Sequence, residues 1–417
     1  MKLINTVFKS GFCYAVLLFM FGCSAEAEVE IPEHIRNLDN LKVYSEDTEP
    51  DSSIELIHEV TLEVPDSISR NWYGNYIPHS LWLTGIEITE SGKIFVGDSR
   101  AYGIHVFDID GSYLRSLGRK GYGPGEYGGI GNMQIVTDSL VVFDYVRSKI
   151  VKYSLESLEF TEVAGVGADP VNLDEFEELS GWFSSYRMLR HDGTLLVGFM
   201  EHPTDARKGA PTYNLNQDRP IKHYFMNQEK KIISDKIFEL KDREDLVTDV
   251  DGKHLFNLAP FPFLDRPLIA ISDDDYTYTN WTENFLIKAY DPNGNYLHAF
   301  YYPFQNKPLV RDEVTSLFNK DDGWNWDLVQ HADLPETWPV INSMRADDRN
   351  RLWISTNIDK DGVYEWWVLQ SDGELIARFQ WPDNLIVETV KNGYAYALET
   401  HEETQLQQVK RYRIEMN

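Results

Sequence analysis

Residues 83–117 read LTGIEITESGKIFVGDSRAYGIHVFDIDGSYLRSL, in which short apolar–polar alternations are separated by turn sequences. Alternation with a period of two is typical of strands that bury one face. Ser91-Gly92 and Asp110-Gly111 interrupt the alternation, and glycine can adopt the positive φ that a tight hairpin turn needs. The stretch therefore predicts four short antiparallel strands, called A to D here in chain order.

The same pattern returns along the chain. Further units cover residues 132–161, 186–240, 267–301 and 341–381, and residues 310–319 form the only short helical pattern. The C-terminal residues supply three strands, and the N-terminal segment 54–64 (IELIHEVTLEV) supplies a fourth. Closing a ring of sheets in this way removes the free sheet edges. We therefore predict an all-β, six-bladed β-propeller of four-stranded antiparallel blades, closed by pairing of the N-terminal strand with the C-terminal blade.

The overall charge excludes several classes of partner. The 417 residues carry a formal net charge of -28 and show no basic stripe, which argues against nucleic acid and against direct binding to anionic lipid. A negative cleft that attracts a cation stays open as an alternative to simple solubility. Both cysteines, Cys13 and Cys23, lie at the N-terminus, so the folded body contains no disulfide and no thiol chemistry.

The first 22 residues have the features of a secretory signal. Lys2 and Lys9 precede an apolar run over residues 11–21, which is too short to span a bilayer. The Met-Phe-Gly-Cys sequence that ends at Cys23 resembles a bacterial lipobox, which implies that Cys23 becomes the lipidated, palmitate-bearing first residue; an ordinary signal cut nearby is the alternative. We expect a signal peptide over 1–22, an acidic tether over 23–53 and the propeller over 54–417.

One inter-blade junction carries a longer motif. Asp98-Ser99 and Val106-Phe107-Asp108 are followed by GRKGYGPGEY at residues 118–127. With these motifs the chain resembles bacterial six-bladed β-propeller lipoproteins related to NHL-repeat and TolB-like propellers. The resemblance implies an exported protein, lipid-anchored in the cell envelope at the outer membrane or the periplasmic face. It does not imply a function, because propellers support binding and catalysis alike.

Loop lengths predict which face carries the function. The A–B and C–D turns are short, whereas the B–C and D–A connections, on the opposite face, contain insertions near 162–183, 201–220, 241–262 and 302–340. Rigid scaffolds carry function on their long loops. The insertion at 302–340 is the richest, since aromatic rings beside carboxylates suit sugar binding. Its candidate ligand-binding residues are Trp324, Trp326 and His331, with Asp321, Asp322 and Trp338 beside them.

The alternative is that these tryptophans pack the insertion onto the blades. Trp353, Trp366 and Trp367 lie within predicted strands and are expected to be core residues. His202 is a further candidate base by position only. The chain has no nucleophile-elbow motif and no HExxH helix, which favours a binding protein over an enzyme.

The leading hypothesis is a propeller that binds a glycan, a peptide or an envelope protein without a cofactor and meets the membrane through its lipid anchor alone. The rival hypothesis comes from gluconolactonase-related propellers, whose likeness implies a calcium-dependent hydrolase or lyase with its site at the central channel mouth. The corresponding inner-strand positions hold Asn132 and Asn342 but Arg187 elsewhere, and Asp98 and Asp144 end their B strands at the same face. These five are further candidate ligand-binding residues. Calcium takes six to eight oxygen ligands, and the sequence does not show such a set.

Overall fold

A computed structural model describes residues 31–45, 47–63, 83–99, 101–165, 170–201, 219–257, 260–318, 320, 323–400 and 407–417. Six antiparallel sheets of four blade strands each confirm the predicted six-bladed propeller. The inner strand of blade 1 contacts the inner strands of blades 2 and 6, so the sheets form a closed ring. Cys23 and the signal sequence lie outside the described residues.

In blades 1 to 5 the strands run outward from the axis in chain order. Blade 1 contains β3 (Leu83–Ile88), β4 (Ile94–Asp98), β5 (Gly103–Phe107) and β6 (Tyr113–Leu117). Blade 2 contains β9 (Ile130–Val136), β10 (Ser139–Asp144), β11 (Lys149–Ser154) and β12 (Phe160–Gly165). Blade 3 contains β13 (Trp182–Leu189), β14 (Leu195–Glu201), β15 (Pro220–Met226) and β16 (Phe238–Lys241).

The second half repeats this order. Blade 4 contains β19 (Pro267–Ile271), β20 (Thr277–Trp281), β21 (Leu286–Tyr290) and β22 (Tyr296–Tyr301). Blade 5 contains β23 (Ile341–Ala346), β24 (Leu352–Asn357), β25 (Val363–Leu369) and β26 (Leu375–Pro382). Blade 6 contains β27 (Leu385–Lys391), β28 (Tyr394–Thr400), β29 (Gln407–Met416) and the N-terminal strand β2 (Ile54–Leu62).

Pairing of β2 with β29 closes the ring, as predicted. The two strands are antiparallel, with Ile57 opposite Arg413, and a bulge follows His58. The Glu59 carboxylate lies 3.0 Å from the Arg413 guanidinium and 3.4 Å from that of Arg411. The two termini are therefore joined by a full backbone ladder and by charged side chains.

The core lies between neighbouring blades. Trp353, Trp366 and Trp367 are each no more than 1% exposed, which confirms the prediction that they are core residues. A buried indole needs an acceptor for its N–H, and Trp353 Nε1 donates to the buried Asp347 carboxylate at 3.0 Å. Gly111 shows why a hairpin turn needs glycine: its φ is +83°, and an added Cβ would lie 2.4 Å from Val60.

The N-terminal segment differs from the expected tether. The segment begins with the helical turn α1 (Glu33–Arg36), and its described residues contact blade 5 through Lys42 Nζ, 2.7 Å from Asp372, and Ser52 N, which donates to the Ile376 carbonyl at 2.9 Å. Strand β1 (Leu41–Val43) pairs in parallel with β22 as a fifth strand of blade 4. The Tyr44 ring then stacks on Tyr302 at 4.8 Å. The physical reason is the open outer edge of β22, which offers unpaired backbone groups to any neighbouring extended segment.

Two insertions on the long-loop face pack together as a small unit, called the cap here. It combines the hairpin β17 (Val247–Val250) and β18 (Lys253–Phe256) with helices α2 (Arg311–Ser316) and α3 (Gly323–His331). Its own apolar cluster includes Phe263, Val314 and Leu328. Helix α2 confirms the short helical pattern, whereas α3 was not predicted, because its Trp, Asn and Asp residues are weak helix formers.

The remaining elements are short. Strands β7 (Arg119–Lys120) and β8 (Glu126–Tyr127) pair in parallel within the first inter-blade junction, and 3₁₀ turns occupy Leu173–Glu175 and Glu177–Leu179. In the part of the chain that the structure describes, no helix is long and apolar enough to cross a membrane.

Candidate functional site

A cleft of about 400 Å³ opens on the long-loop face, between the cap and the tops of blades 5 and 6. This is the face that loop length predicts, and the insertion at 302–340 forms one wall. Its polar lining residues are Lys307, Glu313, Asn357, Lys360, Asp361, Tyr364, Asp383, Asn384 and Thr400. Its apolar lining residues are Pro262, Leu317, Trp338, Ile358, Val363 and Ile386.

The cap wall of the cleft is held by a charged pair on an aromatic ring. Lys307 Nζ lies 2.6 Å from Glu313 Oε1, and Trp338 Nε1 donates to the other oxygen of Glu313 at 3.3 Å. The Lys307 ammonium also lies 5.4 Å from the Trp338 ring centre. Trp338 is only 8% exposed, so its ring serves the wall and leaves no open aromatic face toward a ligand.

The floor of the cleft comes from blade 5. Asn357, at the end of β24, is buried and donates through Nδ2 to the Pro339 carbonyl at 2.7 Å. Burial, reinforced by the negative charge of Asp383 and opposed by Arg266, raises the pKa of Tyr364 to about 12. The Tyr364 phenol is therefore neutral at ordinary pH and can donate a hydrogen bond to a ligand.

The rim of the cleft is charged and accessible. Lys360 and Asp361 are exposed in the B–C turn of blade 5, and Asp383 is exposed at the start of blade 6. Lys360 Nζ donates to Gln380 Oε1. The described lining thus presents ammonium groups, carboxylates, side-chain amides and a phenol, all of which can bind a polar ligand.

The aromatic residues predicted to bind sugar lie outside this cleft. Trp324 is 41% exposed, but its Nε1 donates to the Phe256 carbonyl at 2.8 Å, which ties α3 to β18. Trp326 is partly buried against the apolar cluster of the cap. His331 is exposed, and its Nδ1 lies 2.8 Å from the Asp327 carbonyl. The tryptophans therefore pack the insertion together, as the alternative interpretation expects; His202, Asp321 and Asp322 lie outside the described residues.

The residues of the calcium hypothesis serve other purposes. Asp144 is fully buried, and its carboxylate accepts hydrogen bonds from four backbone amides, including those of Gly128 at 2.8 Å and Gly129 at 3.2 Å. Asp98 accepts from the Ala101 amide at 3.3 Å and lies 3.5 Å from the His105 ring. These carboxylates cap turns between blade strands.

The two amides of that hypothesis, and Arg187, lie on three different blades. Asn342 Nδ2 donates to Ser355 Oγ at 3.3 Å, and the backbone carbonyl of Asn342 accepts from Arg266. Asn132 lies in β9 and Arg187 in β13, the inner strands of blades 2 and 3. Within the described ranges, no group of three or more His, Cys, Asp or Glu residues is placed to hold a metal ion.

A second polar cluster, called the axial network here, lies at the opposite end of the central channel. Five blades contribute one residue each from the end of the inner strand or from the turn after it. They are Glu87 of blade 1, Gln134 of blade 2, His191 of blade 3, Asp273 of blade 4 and Lys391 of blade 6. A polar residue at this position in unit after unit is the signal from which the sequence could have identified the network.

Short contacts join these side chains in order around the axis. Gln134 Nε2 donates to Glu87 Oε2 at 3.4 Å, and the Gln134 amide group also contacts the His191 ring. His191 Nε2 lies 3.1 Å from Asp273 Oδ1, and Lys391 Nζ lies 2.9 Å from Asp273 Oδ2. The network therefore joins blades 1, 2, 3, 4 and 6 across the channel.

Burial and the contacts within the axial network shift the pKa values of its ionisable side chains. Burial raises the pKa of Glu87 to about 7, against the positive charges of Lys391 and His191. Burial lowers the pKa of His191, but hydrogen bonds to Asp273 and Asp275 outweigh it and raise the value to about 9. Burial likewise opposes ionisation of Asp273, yet its bonds to His191 and Lys391 lower its pKa to about 2.

Comparison with known proteins supports the fold. The sequence model of a family described as "6-bladed beta-propeller" (DUF5128) matches residues 82–255. No curated protein matches the chain significantly.

Among solved structures, the chain is similar to a protein of Bacteroides fragilis described as a candidate exported protein, at 14% identity and a TM-score of 0.50, over 90% of this chain and 99% of that one. A DUF4221 family member from Bacteroides vulgatus is similar at 12% identity and a TM-score of 0.49, over 88% and 99%. Regucalcin, a calcium-binding protein from Agrobacterium tumefaciens, is similar at 11% identity and a TM-score of 0.39, over 80% and 91%. The described blades, the family match and the Bacteroides fragilis structure together establish this chain as a six-bladed β-propeller.

Proposed function

We propose that this chain is a ligand-binding protein of the cell envelope, exported, anchored through a lipid on Cys23, and binding its ligand in the cleft between the cap and blades 5 and 6. The observation that carries the proposal is the cleft itself. Its volume of about 400 Å³ lies within the usual range of about 300–1,000 Å³ for ligand sites, and it contains a neutral phenol, Tyr364, among charged rim residues.

The lining favours a peptide over a glycan as the ligand. Lys360, Asp361 and Asp383 place both signs of charge at the accessible rim, which matches the alternating donors, acceptors and charges of a peptide. A sugar ring would need an open aromatic face, and the Trp338 ring of this cleft is buried in the wall. Ile358 and Val363 add apolar surface for a ligand side chain.

Selection from a random peptide library on the immobilised protein tests the proposal. The Tyr364→Phe and Asp383→Asn substitutions together remove one donor and one rim charge, and we expect retention of the selected peptides to fall about tenfold or more. Asp235→Asn is the matched control, because Asp235 is exposed in the C–D turn of blade 3 on the opposite face. Equal retention by the cleft variant and the wild type, or no enrichment of any peptide, contradicts the proposal.

The anchor has its own test. Cells that express the full chain with labelled palmitate should yield a labelled, membrane-associated protein. The Cys23→Ser variant should be exported without label and should leave the membrane fraction, because acyl chains supply the membrane affinity. Equal labelling of both proteins excludes Cys23 as the lipidated residue.

A further inference from the structure

A second surface on the long-loop face, at the junction of blades 1 and 2, combines exposed tyrosines with cations. We call it the tyrosine–cation surface, and it comprises Tyr102, Arg119, Lys120, Tyr122, Tyr145 and Arg147. Tyr122 is 91% exposed and Tyr145 is 59% exposed, and the neighbouring Val146 is 58% exposed. Large aromatic side chains exposed together in this way mark a contact surface rather than ordinary solvation.

Cations hold these rings in place. The Arg147 guanidinium carbon lies 3.9 Å from the centre of the Tyr122 ring, and the same guanidinium donates to the Gly121 carbonyl. The Lys120 ammonium lies 4.8 Å from the centre of the Tyr102 ring. The guanidinium covers one face of the Tyr122 ring, so the other face stays open to a partner.

The backbone beneath the surface is firmly fixed. Tyr127 OH donates to Tyr153 OH at 3.0 Å, which joins the glycine-rich loop to blade 2. Gly118 has φ +76°, and an added Cβ would lie 2.3 Å from the Tyr127 ring. Lys149 Nζ donates to the Glu126 carbonyl at 2.5 Å. The glycine-rich loop is thus fixed between blades 1 and 2, and it carries Tyr122 outward at its tip.

The charge of this surface is opposite to that of the whole chain. The three cations of the surface, Arg119, Lys120 and Arg147, lie beside two carboxylates, Glu126 and Asp144, which gives a local formal charge of +1 in a chain of net charge -28. Glu126 is engaged by the Gly123 amide at 2.7 Å and by Arg119 at 2.8 Å, and Asp144 by four amides. Among the described residues Lys120 has no ion-pair partner.

We infer that the tyrosine–cation surface binds an acidic polysaccharide, with sugar rings stacked on the open face of Tyr122 and on Tyr145 and with carboxylate groups paired to Lys120 and Arg119. Flat rings with adjacent cations suit sugar rings that carry carboxylates. Attraction to an anionic membrane needs a larger basic cluster, of about four to eight Lys or Arg residues, than the three cations of this surface, Arg119, Lys120 and Arg147. This site shares no residue with the cleft, so the two proposals succeed or fail separately.

Affinity electrophoresis of the full protein in gels that contain polygalacturonate tests the inference. Dextran serves as the neutral comparison, polyglutamate as the acidic peptide and phosphatidylglycerol vesicles as the anionic surface. We expect retardation by polygalacturonate alone, weakened by salt because ion pairs are screened. Tyr122→Ala should weaken binding about tenfold, whereas Tyr122→Phe keeps the ring and should change it less than about threefold.

Lys120→Ala should weaken binding to polygalacturonate and flatten its salt dependence. Lys236→Ala is the matched control, since Lys236 is an exposed lysine in the C–D turn of blade 3, and it should change nothing. The thermal midpoints of Lys120→Ala and Lys236→Ala should equal that of the wild type, because the Lys120 and Lys236 side chains are exposed. Absence of retardation, equal retardation by polyglutamate or vesicles, or insensitivity to Tyr122→Ala overturns the inference.

Discussion

Replacement of Glu87 by glutamine should stabilise the propeller at alkaline pH and leave it nearly unchanged at pH 4 to 5. The pKa of Glu87 is about 7 in the folded protein against 4.5 for an ordinary glutamate. The folded state therefore binds more protons between these values, and its stability falls as the pH rises from about 4.5 to about 7. Glutamine mimics the neutral acid and removes this fall.

The magnitude follows from the pKa difference. The folded and ordinary pKa values differ by about 2.5, and at about 1.36 kcal/mol for each unit this gives about 3 kcal/mol of extra unfolding free energy for the variant at pH 8. This value is an upper limit, because the neighbouring charges of His191 and Lys391 can rearrange around the ionised acid. For a protein of this size, about 1 kcal/mol shifts the thermal midpoint by roughly 1 °C.

Thermal unfolding of wild type and Glu87→Gln between pH 4 and pH 9 measures the effect. The difference in thermal midpoint between Glu87→Gln and the wild type should increase from pH 5 to pH 7 and then stay constant. Glu90→Gln is the matched control, because Glu90 is exposed in the A–B turn of the same blade. The thermal midpoint of this variant should differ from that of the wild type by the same amount at every pH. A Glu87→Gln variant that is less stable than the wild type at pH 8, or whose difference is the same at every pH, refutes the reasoning.

Three further results are expected. His191→Gln should lower the thermal midpoint most below pH 6.5, because the protonated His191 ring stabilises the folded state. The difference in midpoint between wild type and variant should shrink as the pH rises through about 9, where the ring loses its proton, and a difference that is the same at every pH contradicts this assignment. Addition of calcium or EDTA should leave the thermal midpoint unchanged, because the oxygens of Asp98 and Asp144 accept backbone amides, and a rise of several degrees with calcium would restore the metal hypothesis. Deletion of everything before residue 54 should leave a folded protein by circular dichroism, whereas deletion of everything before residue 63 exposes the edge of β29 and should cause aggregation; equal behaviour of both truncations would show that β2 does not close the ring.

The blades could be predicted because their signal is local and repeated. Alternating side chains separated by Ser91-Gly92 or Asp110-Gly111 specify a hairpin within about 15 residues, and the ring follows once the units are counted. Strand β1 could not be predicted, since three residues carry no period and their pairing depends on the free edge of β22, more than 250 residues away. Tertiary pairing decides such a segment, not local propensity.

The candidate site was predicted at the level of the face and not of the residue. The cleft lies on the face to which loop lengths pointed, and residues of the insertion at 302–340 line one wall of it. They could not show that Trp324 and Trp326 turn toward the cap, because the cap core forms only when residues 241–264 meet that insertion. Tyr364 lies in an ordinary strand pattern, and its role depends on the burial that this packing creates.

Hydrogen–deuterium exchange of the protein, measured with and without a peptide selected from the library, tests the central claim most directly. Binding in the cleft predicts slower exchange in three segments, 307–317 of the cap, 357–364 of blade 5 and 383–386 of blade 6, with the short-turn face unaffected. Slower exchange confined to other blades, or no change in these three segments at saturating peptide, would contradict the claim that this cleft is the ligand site.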